Sequence, residues 1–195
     1  MGPQTRRLQV LRRLQKAAQN ASASFKPGPR YNPRTMPDVS GSFEAKLPAP
    51  FGLLGIRTAG GRLSEIVFLK PGGAAFAPRD GVSERTCRQL ESYFDDPEFR
   101  FDVPLAAQGT PFQRRVWRKI AAIGAGRTRS YGELARELRS APRAVGQACG
   151  ANPVPLVVPC HRVLAASGIG GFAHHEAGFH LAIKRWLLAH EAAAR

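Results

Sequence analysis

Between Gly41 and Pro78 the apolar positions fall into two β-rich runs, Phe51 to Ile56 and Leu63 to Leu69, separated by Ala59-Gly60-Gly61. Strand-like runs joined through a glycine pair predict a hairpin and a small sheet. The period then lengthens. Cys87, Leu90 and Phe94 recur at helical spacing after Ser83, which predicts a helix capped by Ser83 and running through Phe94, with Cys87 in the core. Phe99 to Leu105 alternates again and predicts a further strand.

From Thr110 onward the texture is helical. Thr110-Pro111-Phe112-Gln113 offers an N-cap, a proline in the first turn and a glutamine three places on, and Phe112, Val116, Ile120 and Ile123 then line one face. A second capping box, Ser130-Tyr131-Gly132-Glu133, opens a helix through Leu138. A short turn holding Ser140 and Pro142 leads into another helix, Arg143 to Gly150, so the pair predicts a helix-turn-helix. Its second helix carries Ala144, Gly146, Ala148 and Gly150, small residues that cost helix stability and suit close approach to a neighbouring helix or a nucleic-acid backbone. Leu181 to Glu191 predicts a terminal helix with Trp186, Leu187 and Leu188 turned inward.

Charge narrows the picture. The 195 residues hold 29 Lys and Arg against 14 Asp and Glu, a net charge of +15, which favours a polyanionic partner. No acidic residue occurs from Met1 to Pro37, so residues 1–40 read as a basic, disordered tail, with an organelle address or a polyanion-binding helix as alternatives. Residues 41–106 then read as one unit and 107–195 as another. The odd count of three cysteines, Cys87, Cys149 and Cys160, has neither disulfide-framework nor zinc-knuckle spacing and points to a reducing compartment. No apolar run approaches the roughly 20 residues needed to cross a bilayer.

Candidate chemistry sits at Cys160. The run Val154-Pro155-Leu156-Val157-Val158 is too short for a helix and is interrupted by proline, so it predicts a buried extended segment ending in a turn that presents Cys160. A nucleophilic cysteine reacts as its thiolate, and a histidine such as His161 can draw off the proton if a carboxylate orients it. Taken alone, Cys-His is weak evidence, because most buried cysteines are packing residues.

Thr110-Pro111-Phe112-Gln113, Val116-Trp117, Ser130-Tyr131, Arg143-Ala144-Val145-Gly146, Ala151-Asn152-Pro153, Pro159-Cys160-His161-Arg162-Val163 and Trp186-Leu187-Leu188-Ala189-His190-Glu191 give the context. Through these motifs the sequence resembles the 6-O-alkylguanine-DNA alkyltransferases, or methylated-DNA-protein-cysteine methyltransferases. The likeness is close from Thr110 to Glu191 and loose from Phe43 to Leu105; the first 40 residues have no counterpart. It implies an α+β fold, with an N-terminal α/β subdomain built on a small antiparallel sheet and a mostly helical C-terminal subdomain carrying a winged helix-turn-helix. It implies DNA repair by an irreversible, single-turnover transfer of the alkyl group from the 6-oxygen of guanine, and from the 4-oxygen of thymine, to Cys160.

Carried over, the resemblance makes Cys160 the acceptor, with His161 and Glu191 drawing off its proton through a water and Asn152 bracing the turn. Tyr131 would press on the backbone phosphate and donate to the departing guanine, Arg143 would fill the gap left by the flipped nucleotide, and Gly132 and Ser140 would also face DNA. Backbone groups near Cys160 and Val163 would read the guanine edge, with Phe172 and Ala173 lining the pocket. The implied partner is double-stranded DNA bearing an alkylated guanine, met by a monomer without a membrane, a metal or an organic cofactor. The location is the bacterial cytoplasm and nucleoid, or a eukaryotic nucleus or organelle.

Two departures from the family pattern stand out. After Gly170-Gly171 the usual tyrosine, small polar residue and glycine pair give way to Phe172-Ala173 and a longer run to His180, which puts the range of substrates in question. The turn from Leu138 to Pro142 is about two residues shorter than usual. Competing readings are a damage sensor without chemistry, against which the cysteine argues, and a cysteine hydrolase, against which the basic helix-turn-helix argues.

Overall fold

Residues 42–173 and 178–192 of a computed structural model of the chain are described. The tail expected over residues 1–40, and residues 174–177 of the departing loop, lie outside them. Three antiparallel strands, β1 (Ala45–Ala49), β2 (Gly52–Ala59) and β3 (Arg62–Leu69), form a sheet in the order β1-β2-β3. The expected hairpin is β2-β3. Gly60 and Gly61 both take positive φ, 56° and 69°, a conformation that matches strand twist and that glycine adopts without steric cost.

The sheet region differs from expectation in three places. β1 has no counterpart among the expected strands: its sequence Ala-Lys-Leu-Pro-Ala contains a proline, which is tolerated because the strand lies at the sheet edge. Ser83 does not cap the next helix. Helix α1 (Gly81–Asp95) is capped by Asp80, whose carboxylate accepts from Ser83 N at 2.6 Å, while Ser83 Oγ accepts from Asp80 N at 3.2 Å. An anionic cap also suits the positive end of the helix dipole. The strand expected over Phe99 to Leu105 is absent as a strand. That segment touches the sheet at a single bridge, with Leu63 N donating to Pro104 O and Ala106 N to Leu63 O. Asp102 N is diverted to the Gln89 side chain, and Pro104 has no N–H to offer.

The helical part follows the sequence pattern closely. Helices α2 (Pro111–Ala121) and α3 (Tyr131–Leu138) open on the two expected capping boxes, Thr110 with Gln113 and Ser130 with Glu133. Helix α4 (Pro142–Gly150) packs against both, completing the helix-turn-helix. The shortened turn is closed by Arg139 in the left-handed region (φ 50°) and by Ser140 N donating to Ala135 O at 2.9 Å. Two short parallel strands, β4 (Arg129–Ser130) and β5 (Val163–Leu164), tie the start of α3 to the cysteine segment. Helix α5 (Phe179–Ala192) ends the fold; Leu187 is fully buried, whereas Trp186 and Leu188 are only partly covered.

One apolar cluster runs from Leu54 and Ile56 through Leu90 to Val116, Ile120, Leu134, Val145 and Leu187, so sheet and helical parts share a core. Cys87 belongs to it, as expected. Trp186 meets Phe51 and Phe94 across the junction, with ring centroids 5.4 and 6.1 Å apart. Among the described residues no helix is long and apolar enough to cross a membrane. The junction carries a prediction: Leu90→Ala, at a position with no solvent exposure, lowers unfolding free energy by about 2–5 kcal/mol in urea titrations, and a smaller loss shows that α1 does not anchor the core.

Candidate active site

The segment before Cys160 is buried but not extended, contrary to expectation. It folds back in a tight turn with Val158 N donating to Val154 O at 2.9 Å and Leu156 at φ 75°, because two prolines and a left-handed leucine prevent regular strand pairing. A single 3-10 turn, Cys160–Arg162, follows at once and carries the thiol and the imidazole together. Asn152 braces this arrangement. Its Nδ2 donates to Val158 O at 2.7 Å and to Cys160 Sγ at 3.3 Å, and its Oδ1 accepts from Val154 N at 3.1 Å.

Behind the turn lies a buried carboxylate. Glu191 Oε1 meets His161 Nε2 at 2.8 Å, accepts from Tyr93 OH at 2.9 Å and from Arg162 Nη2 at 2.8 Å; Oε2 accepts from Arg162 Nε at 3.0 Å and Gly126 N at 3.1 Å. Burial by itself would raise the Glu191 pKa, but the hydrogen bonds and charges of His161 and Arg162 prevail and hold it far below the usual carboxylate range. Glu191 is therefore an anion. Burial pushes His161 the other way, toward the neutral imidazole, against the pull of Glu191. A neutral ring facing an ionised carboxylate must carry its proton on Nε2. Nδ1 is then a bare lone pair, and among the described residues it is the buried side-chain atom left without a hydrogen-bond partner.

The sulfur environment is double-edged. Burial raises the Cys160 pKa, so the resting thiol is protonated. Yet Asn152, the charge of Lys184 and the backbone N–H groups of Cys160 and His161 all favour the anion. Lys184, fully buried, has its own pKa lowered to about 8 by desolvation, with Nζ donating to Val163 O at 2.7 Å and Gly171 O at 3.0 Å. Tyr131 lies below that ammonium, 5.9 Å from ring centroid to Nζ, and its hydroxyl donates to Gly171 O at 3.3 Å. Gly170 at φ 68° passes so close that an added Cβ would stand 3.2 Å from the Tyr131 ring.

The other anticipated residues are spread around this centre. Arg143 is exposed in the first turn of α4, Ser140 sits half-buried in the turn before it, and Gly132 is in the first turn of α3. Both backbone groups of Val163 are already engaged, its N–H with Cys160 O and its carbonyl with Lys184. Phe172 is buried against Phe68 of β3 at 5.5 Å, and Ala173 takes a left-handed φ of 48°. Sequence reasoning missed Tyr93, Arg162, Lys184 and Gly126 as parts of the site. Two of them had left a signal: Arg162 stands inside the Pro159-to-Val163 motif, with no role assigned to it, and Lys184 shares the inward face of α5 with Leu181, Leu187 and Glu191, where an apolar residue is expected.

A buried thiol beside an ionised-carboxylate and histidine pair, carried next to a helix-turn-helix, is the equipment of a cysteine enzyme built on a DNA-binding fold. Known proteins point the same way. The family model described as 6-O-methylguanine DNA methyltransferase, DNA binding domain, matches residues 111–193. A methylated-DNA-protein-cysteine methyltransferase of Methanosarcina mazei is 43% identical over 119 residues, 57% of this chain and 75% of that protein. One from Mycobacterium tuberculosis is 40% identical over 128 residues, 63% of this chain and 78% of that protein. The crystal structure of the M. tuberculosis O6-methylguanine methyltransferase superimposes with a TM-score of 0.64 at 34% identity, over 79% of this chain and 95% of that one. M. tuberculosis OGT in complex with DNA gives 0.63 at 36% identity, over 76% and 92%. The chain belongs to the methylated-DNA-protein-cysteine methyltransferase family.

The buried His161–Glu191 pair predicts a fold that loses stability in acid. Both groups have depressed folded pKa values, so the unfolded chain binds more protons and stability falls as pH falls. The His161 contribution begins to go below its ordinary value of 6.5, and that of Glu191 below 4.5. Denaturant midpoints measured from pH 7.5 to pH 3 should decline in these two stages, with Glu191→Gln diminishing the lower one, to which the capping carboxylate of Asp80 also contributes; a midpoint flat across the whole range contradicts the charge assignment.

Proposed function

We propose that the chain repairs double-stranded DNA by moving the alkyl group from the 6-oxygen of guanine, and from the 4-oxygen of thymine, onto Cys160 Sγ, once per molecule. The observation that carries this reading is the bare, buried Nδ1 of His161 in the same turn as the protonated Cys160 thiol. A single water bridging the two would pass the thiol proton to Nδ1, with Nε2 held by Glu191. The thiolate then attacks the alkyl carbon, a C–S bond forms as the C–O bond breaks, and the freed guanine oxygen is neutralised by the proton that His161 returns to the ring. Atoms and electrons balance without a co-reactant. The product is a thioether, which hydrolysis does not reverse, so the protein is consumed.

The reacting oxygen of a duplex lies inside the base stack, so the nucleotide must be flipped out, at a cost of a few kcal/mol. Arg143, exposed at the head of α4, suits the vacancy because a planar guanidinium stacks on bases and contacts phosphate. Gly146 supports close approach of DNA to α4: an added Cβ would meet only the Tyr131 ring, at 4.0 Å, so packing within the chain does not demand glycine there. The M. tuberculosis OGT solved with DNA is consistent with this partner. Cys160 is only 5% exposed, so the base must be admitted to it, and the Tyr131 hydroxyl is engaged with Gly171 O. On release, the Tyr131 hydroxyl is free to donate to the departing guanine.

Intact-protein mass after incubation with a duplex containing 6-O-methylguanine should rise by one methyl group per chain, mapped to Cys160, and no further with excess DNA. Cys160→Ala should show no increment while retaining duplex affinity. Repeated turnover by one molecule, or a methyl group mapped elsewhere, overturns the proposal.

A further inference from the structure

We propose that Tyr93, a residue of the sheet-bearing part of the chain, is a positioning residue for alkyl transfer: its hydroxyl fixes the Glu191 oxygen that orients His161. The inference rests on His161 acting as the base. Tyr93 lies 98 residues from Glu191 in sequence, yet its OH reaches Oε1 at 2.9 Å, the same oxygen that meets His161 Nε2 at 2.8 Å. The hydroxyl has little freedom to point elsewhere. Its ring is 1% exposed, wedged between Phe94 and Phe101 with centroids 5.8 and 5.7 Å away, and crossed by His190 at 5.3 Å. Its own carbonyl accepts from His190 Nε2 at 2.9 Å, so α1 and α5 are pinned at both ends of this residue.

The hydrogen bond also adjusts the relay. The groups set against the His161–Glu191 pair are Arg162 from the 3-10 turn, Lys184 from α5 and Tyr93 from α1, with His190 of α5 set against Tyr93. Of these, Tyr93 is the neutral donor that shares Oε1 with the imidazole, and it draws charge away from that oxygen. Without it, Glu191 pulls harder on the Nε2 proton, His161 becomes easier to protonate, and the carboxylate loses one of its anchors. A plain core tyrosine would do none of this, since phenylalanine keeps the ring packing.

The test is the pH profile of the single-turnover transfer rate constant for the full chain and for Tyr93→Phe, measured with a methylated duplex. The final extent of methylation counts competent molecules, so the rate constant is independent of any unfolded fraction. The expected result is an acid limb moved to higher pH and a plateau reduced about fivefold, the equivalent of one neutral hydrogen bond of about 1 kcal/mol, with unchanged DNA affinity. Superimposable profiles, whatever the melting temperature, overturn the proposal. In a Glu191→Gln background, adding Tyr93→Phe should change nothing further, and an additive loss also overturns it. An acid limb that survives His161→Asn in otherwise wild-type protein instead removes the underlying base assignment, which keeps the two failures apart.

Discussion

The ionised carboxylate of Glu191, buried and saturated with donors, is the constraint on which the site depends. Placing an anion in an apolar core costs several kcal/mol unless it is paired and hydrogen-bonded, and here Arg162, His161, Tyr93 and Gly126 share that task. These four donors come from three separate stretches of chain. The 3-10 turn, α1 and the loop before β4 therefore converge on the last turn of α5, and the thiol is positioned as a consequence. A carboxylate at a helix C-terminus opposes the dipole, so its place is justified only by this network.

Much of the helical part is legible in the sequence because its determinants are local. Capping boxes at Thr110 and Ser130, and helical spacing of Val116 and Ile120, act within a few residues, and the helices stand where these signals put them. The sheet is less legible. Pro48 disguises an edge strand, Asp80 outcompetes Ser83 as a cap, and the diversion of Asp102 N to Gln89 prevents the alternating run after Phe99 from pairing. Within the site, the motif residues Cys160, His161, Asn152 and Glu191 can be anticipated, and the structure brings all four together. The roles of Tyr93 and of Arg162, though Arg162 stands in the motif, cannot, since they exist only once distant segments meet.

Tension between protection and reactivity runs through the geometry. The thiol is buried, which keeps it protonated and shielded from adventitious electrophiles, while Lys184, Asn152 and two backbone N–H groups stand ready to stabilise the anion once it forms. The stretch around Gly171 is held by Tyr131 and Lys184 on one side and by Phe172 against β3 on the other. Phe172 and Ala173, the first residues of the departure from the family's usual loop, adjoin this stretch, away from the 3-10 turn in sequence.

The tautomer of His161 tests the central claim most directly. Nitrogen-15 NMR of histidine-labelled protein at neutral pH should show His161 neutral, protonated at Nε2 and bare at Nδ1, with Nδ1 responding when Cys160 is alkylated. A His161 protonated at Nδ1, or at both nitrogens, would leave no lone pair to receive the thiol proton and would contradict the account.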